Sequence, residues 1–237
     1  MKRFWRYEEL PDDACLHERR GIARFFEIIA HRFIHFYLAS ALTALALLPG
    51  FFVFIVFCRT MPLIAVFGCS LAGALSWPLY CGMCRIIWLS MKSFPGYLWP
   101  EFTAHVKKGF PRGMLTGALG GAVLGLSLEA IVLIPADAGI MKMFFGFALV
   151  DFVLIIAILI CSCTLKAVSP DKRVSFKSVL LFFHGNLSAV LCGSILQGLY
   201  WLLIWLFFPY SVFLFALAGL WLPAMLSVFQ LRKATLA

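Results

Sequence analysis

Two carboxylates, Glu129 and Asp151, stand in stretches that are otherwise free of charge. A carboxylate in hydrocarbon is costly unless it is protonated, paired or wetted, so each is a candidate for binding a cation, a proton or a sugar hydroxyl. Lys142 is the nearest cation by sequence and offers the plainer reading, an ordinary ion pair near one membrane surface. The eight cysteines include Cys81-x-x-Cys84 and Cys161-x-Cys163, a pattern that invites a metal or redox reading. Residues two apart on a helix point about 200° apart, so Cys161 and Cys163 cannot share an ion while the helix continues. Cysteine also packs well as a small apolar side chain, and Cys58 has no evident disulfide partner, so packing is expected and no metal site. Gly68-Cys69-Ser70 loosely resembles an intramembrane serine nucleophile, but no histidine follows His184 to act as its base. There is no Gly-x-x-x-x-Gly-Lys-Ser/Thr, His-Glu-x-x-His or Gly-x-Ser-x-Gly pattern, so the expectation is a non-catalytic protein without a cofactor.

The elements that must hold these residues follow from composition. Of 237 residues 63% are apolar, with 20 Lys or Arg and 11 Asp or Glu. Soluble domains are about half apolar and about a quarter charged, so the chain is predicted to be a membrane protein. Uncharged runs of about 20 residues, long enough to cross roughly 30 Å of hydrocarbon, give an all-α polytopic bundle over 36–230. Its six spans are 36–57, 61–84, 113–134, 143–165, 179–208 and 211–230. Phe208-Pro209-Tyr210-Ser211 divides the last long run, because proline removes a donor and restricts its predecessor. At about 1.5 Å per residue, Glu129 lies roughly 9 Å below Pro135 and Asp151 roughly 14 Å below Lys142. Similar depth on adjacent helices lets the two acids face one another or a shared cavity. His184, Asn186 and Gln197 fall in span five, where bonds to backbone or headgroups are the ordinary explanation; His31, His35 and His105 form no metal-like spacing.

Orientation follows from the cations. With the N-terminus inside, 18 of the 20 Lys and Arg fall in the N-terminal segment, the inner loops or the tail 231–237, and only Arg59 and Lys142 lie outside. Both termini are therefore expected in the cytoplasm of a cell (plasma) membrane. The same bias accounts for the net charge of +9. Membrane lipids suffice as the partner of these residues, and no nucleic acid is needed. No cleavable signal peptide is expected, because a charged segment precedes a run long enough to remain as a span.

Within the N-terminal segment 1–35, Ile22, Phe25, Phe26, Ile29 and Phe33 recur three and four apart, which predicts an amphipathic helix in the inner interface. Between spans two and three, Trp88, Phe94, Tyr97, Trp99, Phe102 and Phe110 alternate with Lys92, Glu101, His105, Lys107, Lys108 and Arg112. This segment is expected to lie along the inner surface, broken at Pro95-Gly96 and Pro100. It is either a structural belt or, through Trp99, Lys107 and Lys108, a surface for a soluble partner. In span three, Gly113, Gly117, Gly121 and Gly125 repeat every four residues beside Gly120, a spacing that lets two helix backbones approach. The neighbour is either another span of this chain or a second protomer, and the oligomeric state stays open.

The order of features resembles the YesL-like family of small bacterial membrane proteins. The resemblance rests on Arg24-Phe25-Phe26, on Ala74-Leu75-Ser76-Trp77-Pro78-Leu79-Tyr80, and on Leu98-Trp99-Pro100-Glu101-Phe102 leading to Lys107-Lys108-Gly109-Phe110. Phe176-Lys177-Ser178 to Gly185-Asn186-Leu187, followed by two closing spans, also fits. Residues 7–20 and the glycine run depart from the pattern. The family has no catalytic residues to carry over. Its members are often encoded beside sugar transporters, so the resemblance implies an accessory or regulatory role in carbohydrate uptake, with subunits of an ABC-type sugar transporter as partners. A small solute transporter working through Glu129 and Asp151 is the other expectation; the absence of an obvious internal repeat counts against it.

Overall fold

A computed structural model describes residues 22–92, 97–133, 139–168, 174–207, 210 and 219–231. Seven α-helices and no strand occur among them: α1 (Ile22–Phe57), α2 (Pro62–Met91), α3 (Leu98–Leu133), α4 (Gly139–Val168), α5 (Phe176–Gly185), α6 (Leu187–Leu206) and α7 (Trp221–Gln230). Four helices, α1 to α4, are long and apolar enough to cross a membrane, and a fifth crossing results if the bent pair α5 and α6 counts as one. The fold is thus an all-α, multi-pass membrane bundle. Among the described residues, four or five of the six predicted crossings are visible. Of span six, 211–230, the part 211–218 lies outside the described residues and the visible helix is only 10 residues long. The tail 232–237, residues 1–21 and the Pro95-Gly96 break also lie outside them.

α2 stands at the centre, packed along α1 on one side and α3 on the other, with α4 and α7 closing against it. Its C-terminal half carries the core: Met83, Ile86, Ile87 and Trp88 are buried together with Leu98 and Phe102 of α3 and Met225 of α7. Here the structure corrects the sequence reading. Residues 85–91 and 98–112 are helix rather than loop, because α2 continues to Met91 and α3 begins at Leu98. Pro100 does not break α3; it sits in the first turn, where backbone N–H groups lack intrahelical partners anyway. Trp99 stacks on Phe102 with ring centroids 5.1 Å apart, and Phe102 and Val106 occupy the space that a side chain at Gly82 would fill. At 36 residues, α3 is about 54 Å long, well beyond what crossing requires, so its first turns form a basic extension ahead of the apolar span that begins near Gly113.

The N-terminal amphipathic helix is likewise not a separate element. α1 runs unbroken from Ile22, and its aromatic face meets α7: Phe25 is edge-on to Phe229 (centroids 5.7 Å) and Phe33 edge-on to Trp221 (5.8 Å). Of the recurring apolar residues, Phe25 and Phe33 are thus partly covered by α7, while Phe26 is 63% exposed. Span five, 179–208, is not one straight helix. Asn186 ends α5 by donating from Nδ2 to the Phe182 carbonyl (3.1 Å) and opens α6 by accepting from Val190, and the axes turn by 96° between them.

Candidate functional site

The glycines of span three pack inside the chain. A Cβ on Gly117 or Gly121 would collide with the carbonyl oxygens of Gly73 and Cys69 on α2, and one on Gly125 would meet the Cys69 Cβ at 2.8 Å. Gly113 faces Pro78, at 3.1 Å from a built Cβ. With side chains absent on this face, the α2 and α3 backbones touch, and Ser70 adds a hydrogen bond to the Ala118 carbonyl at 3.0 Å. Sequence reading found the α3 half of this seam but missed Gly73, and also Gly50, which packs on Gly68 and Ala72 between α1 and α2. Those positions lack the four-residue repeat.

The two acids are placed differently from one another. Glu129 is 4% exposed, one turn beyond Gly125 on the face turned to α2, and both its oxygens lack a hydrogen-bond partner. Asp151 is exposed on α4. Neither lines the cavity described next. The Lys142 side chain lies outside the described residues. Gln197, in contrast, is fully engaged: its Nε2 donates to Ser227 Oγ at 2.8 Å and reaches the Tyr80 hydroxyl at 3.3 Å, tying α6 to α7 and α2.

Chemistry gathers at the end of the bundle where α2 finishes, α3 begins and α4 finishes. A cavity of about 630 Å³ opens there between α2, α3, α4 and the start of α5. Its lining includes Arg85, His105, Lys108, Arg112 and Lys166, with Glu101 as the single acid among the described residues. Helix geometry explains the arrangement. Residues 101, 105, 108 and 112 recur three and four apart and so share one face of α3, while Pro78, Cys81 and Arg85 do the same on α2.

Several of these charges have structural work. Arg85 Nη1 donates to the Ala167 carbonyl at 2.6 Å, so a cation meets the C-terminal end of α4, where Lys166 also sits in the last turn. Glu101 lies in the first turn of α3, the favourable end for an acid. Lys108 and Arg112 are a like-charged pair four residues apart, an arrangement that weakens a helix. His105, on the extension outside the apolar span, feels the result: burial first, then Arg85, Lys166 and Lys108, push its imidazole from 6.5 down to about 4. It is therefore neutral near pH 7 and offers one donor and one acceptor.

Beside the cavity, Cys81 and Cys163 bring their sulfurs to 3.1 Å across α2 and α4, in a buried cluster with Cys84. The cysteine spacing within each helix gave no sign of this, since the contact depends on how the helices cross. Among the described residues no group of three or more His, Cys, Asp or Glu is placed to hold a metal. Lys107 is exposed and does not line the cavity, whereas Lys108 does; Trp99 is half-buried in the α3 stack. No family model, curated protein or solved structure matches the chain.

Proposed function

We propose that the chain is a non-catalytic multi-pass protein of the bacterial cell membrane that holds an anionic ligand at its cytoplasmic end. In this reading it serves as an accessory or regulatory component of carbohydrate uptake, as the YesL-like resemblance implies. The observation that carries the anion reading is the cavity lining, in which Arg85, Lys108, Arg112 and Lys166 meet one carboxylate, Glu101, among the described residues. Cations brought together in a partly enclosed space repel one another and are relieved by an anion. The cytoplasmic placement rests on the distribution of Lys and Arg.

Affinity purification from the native host in mild detergent tests the accessory role. The wild type is expected to bring down subunits of an ABC-type sugar transporter in stoichiometric amount. A Lys108→Glu/Arg112→Glu variant of normal abundance is expected to lose them, if occupancy of the cavity governs the partner. Recovery of the chain alone in both cases overturns the accessory role. The alternative, a transporter working through Glu129 and Asp151, keeps one point in its favour, the unpartnered carboxylate of Glu129. Retained uptake in Glu129→Gln and Asp151→Asn variants would remove it.

A further inference from the structure

We infer that the ligand of this cavity is the phosphate of an anionic membrane phospholipid, its headgroup held by the cations and the upper part of its chains by the apolar residues of the same lining. The inference rests on the anion reading above and narrows it to one chemical class. A soluble anion needs only the charged residues. Farther along the same helices from the basic end, however, stand Pro78 on α2 and Ile158 and Leu159 on α4, and Val174, Phe176 and Val179 at the start of α5 complete the apolar lining. A small hydrated anion would give up water against these side chains with no return, whereas an amphiphile has one part for each kind of lining.

Position along the bundle favours the same ligand. The cavity runs down α3 from Glu101 past Arg112 to Gly113 and Thr116, and so crosses from the basic extension into the start of the apolar span. A headgroup at the level of Lys108 and Arg112 would thus leave its chains at the level of hydrocarbon. α5 stands at the rim. Its N-terminus is fixed by Ser175, whose Oγ accepts from the Ser178 backbone at 3.2 Å, and the 96° turn at Asn186 directs it across the axis of α6. Phe176 and Leu181 on this short helix are 67% and 64% exposed, a surface suited to acyl chains rather than water. Basic pockets between spans on the inner side of a membrane are known to take anionic headgroups, and about 630 Å³ is within the range of small-ligand sites, roughly 300–1,000 Å³. Guanidinium groups at Arg85 and Arg112 match phosphate oxygens two at a time, and neutral His105 adds one uncharged donor.

The test uses the full-length protein in three settings: vesicles of phosphatidylcholine alone, vesicles of phosphatidylcholine with phosphatidylglycerol, and detergent with inorganic phosphate. Retained lipid is read by native mass spectrometry and stability by melting temperature. Phosphatidylglycerol is expected to be retained and to raise the melting temperature, while phosphatidylcholine and inorganic phosphate have little effect. Lys108→Gln/Arg112→Gln should weaken retention roughly thirtyfold, the combined loss of two cations near an anionic lipid. A Lys107→Gln/Lys177→Gln variant, with the same change in net charge outside the cavity, should leave retention intact. Equal losses in the two variants would assign the lipid to general surface attraction and overturn the inference. Stabilisation by inorganic phosphate, with none from the lipid, would overturn the lipid while leaving the anion reading in place. No response to either ligand would overturn both.

Discussion

The pair α2 and α3 meets in two ways along its length. Where Gly117 and Gly121 face the Gly73 and Cys69 carbonyls the backbones touch, and Gly125 lies against the Cys69 side chain. Toward the basic end the same two helices carry Arg85 on one and His105, Lys108 and Arg112 on the other, and space opens beside them. The change occurs where Pro78 meets Gly113, which belongs to both the seam and the cavity lining. In lipid, close packing is the main source of cohesion between helices, because apolar burial contributes little. A membrane bundle that leaves room at one end of its tightest pair therefore gives up packing there. The crowding of like charges adds to that cost. The contrast separates a part whose residues serve cohesion from a part whose cations surround an open space that an anion would fill.

The largest effect should come from filling the seam. Gly117→Leu would drive a side chain into the Gly73 carbonyl, a backbone atom that can yield only if the helices part. A loss of about 3 kcal/mol is expected, at the upper end of ordinary overpacking. It is measured as a fall in melting temperature in detergent and as loss of folded protein in the membrane. A variant as stable as the parent would mean that the seam is not where the bundle gains its cohesion.

pH gives the next contrast, and at the cavity it acts through His105. The His105 imidazole, faced by Arg85 from α2, Glu101, Lys108 and Arg112 from α3 and Lys166 from α4, is held down at about 4, against 6.5 for the ordinary group. Above pH 6.5 the side chain is neutral whether the chain is folded or unfolded, and contributes nothing to pH dependence. As pH falls from 6.5 toward 4, the unfolded chain takes up a proton that the folded chain refuses, so stability declines across that window and levels off below it. His105→Gln should flatten this part of the stability profile. An anion in the cavity should flatten it too, by offsetting the cations that disfavour the imidazolium. An unchanged profile in His105→Gln would show that the cavity cations do not act on this residue.

These two regions were not equally legible in the sequence. The α3 side of the seam could be read because a four-residue repeat of glycine projects onto one helix face by geometry alone. Its partner, Gly73, has no such repeat around it, and only the packed structure reveals it. The cavity was read as several scattered groups of inner-loop cations. Arg85 and Lys166 are 81 positions apart, and nothing local says that α4 crosses α2 so that Arg85 reaches the Ala167 carbonyl. The segment 85–112 was misread for a different reason: aromatic and basic residues around two prolines look like an interfacial loop. Proline is compatible with a first helical turn, and Phe102 and Val106 give α3 an apolar stripe against Gly82. The turn at Asn186 did have a signal, in the adjacent Gly185 and a side-chain amide able to bond back to the Phe182 carbonyl. It was overshadowed by the long uncharged run in which it lies.

A smaller effect sharpens the contrast from the glycine side. Gly109 lies on the same helix as Gly117, but a Cβ built there has nothing within 4 Å. Gly109→Ala should therefore be tolerated, and should gain up to about 1 kcal/mol because alanine restricts the unfolded chain and favours the helix. The sign is the useful result. If Gly109→Ala were as damaging as Gly117→Leu, the open space beside α3 would be filled in the folded protein, and the division of the pair into closed and open parts would fail.

The smallest effect is expected where a structural account of the charges would require a large one. Lys108 and Arg112 are one turn apart on α3, so replacing Arg112 with glutamine removes a like-charge repulsion worth about 0.2–0.5 kcal/mol in an exposed helix. Arg112→Gln should leave the ligand-free protein unchanged or more stable by a few tenths of a kcal/mol, read as melting temperature after delipidation. The same substitution should weaken retention of an anionic ligand. Stability and binding moving in opposite directions is the pattern of a residue kept for what it holds, since substitutions at such sites commonly trade function for stability. If Arg112→Gln instead lowered the ligand-free stability by as much as a broken buried contact, the charge would belong to the fold, and the open end of the pair would need no ligand to explain it.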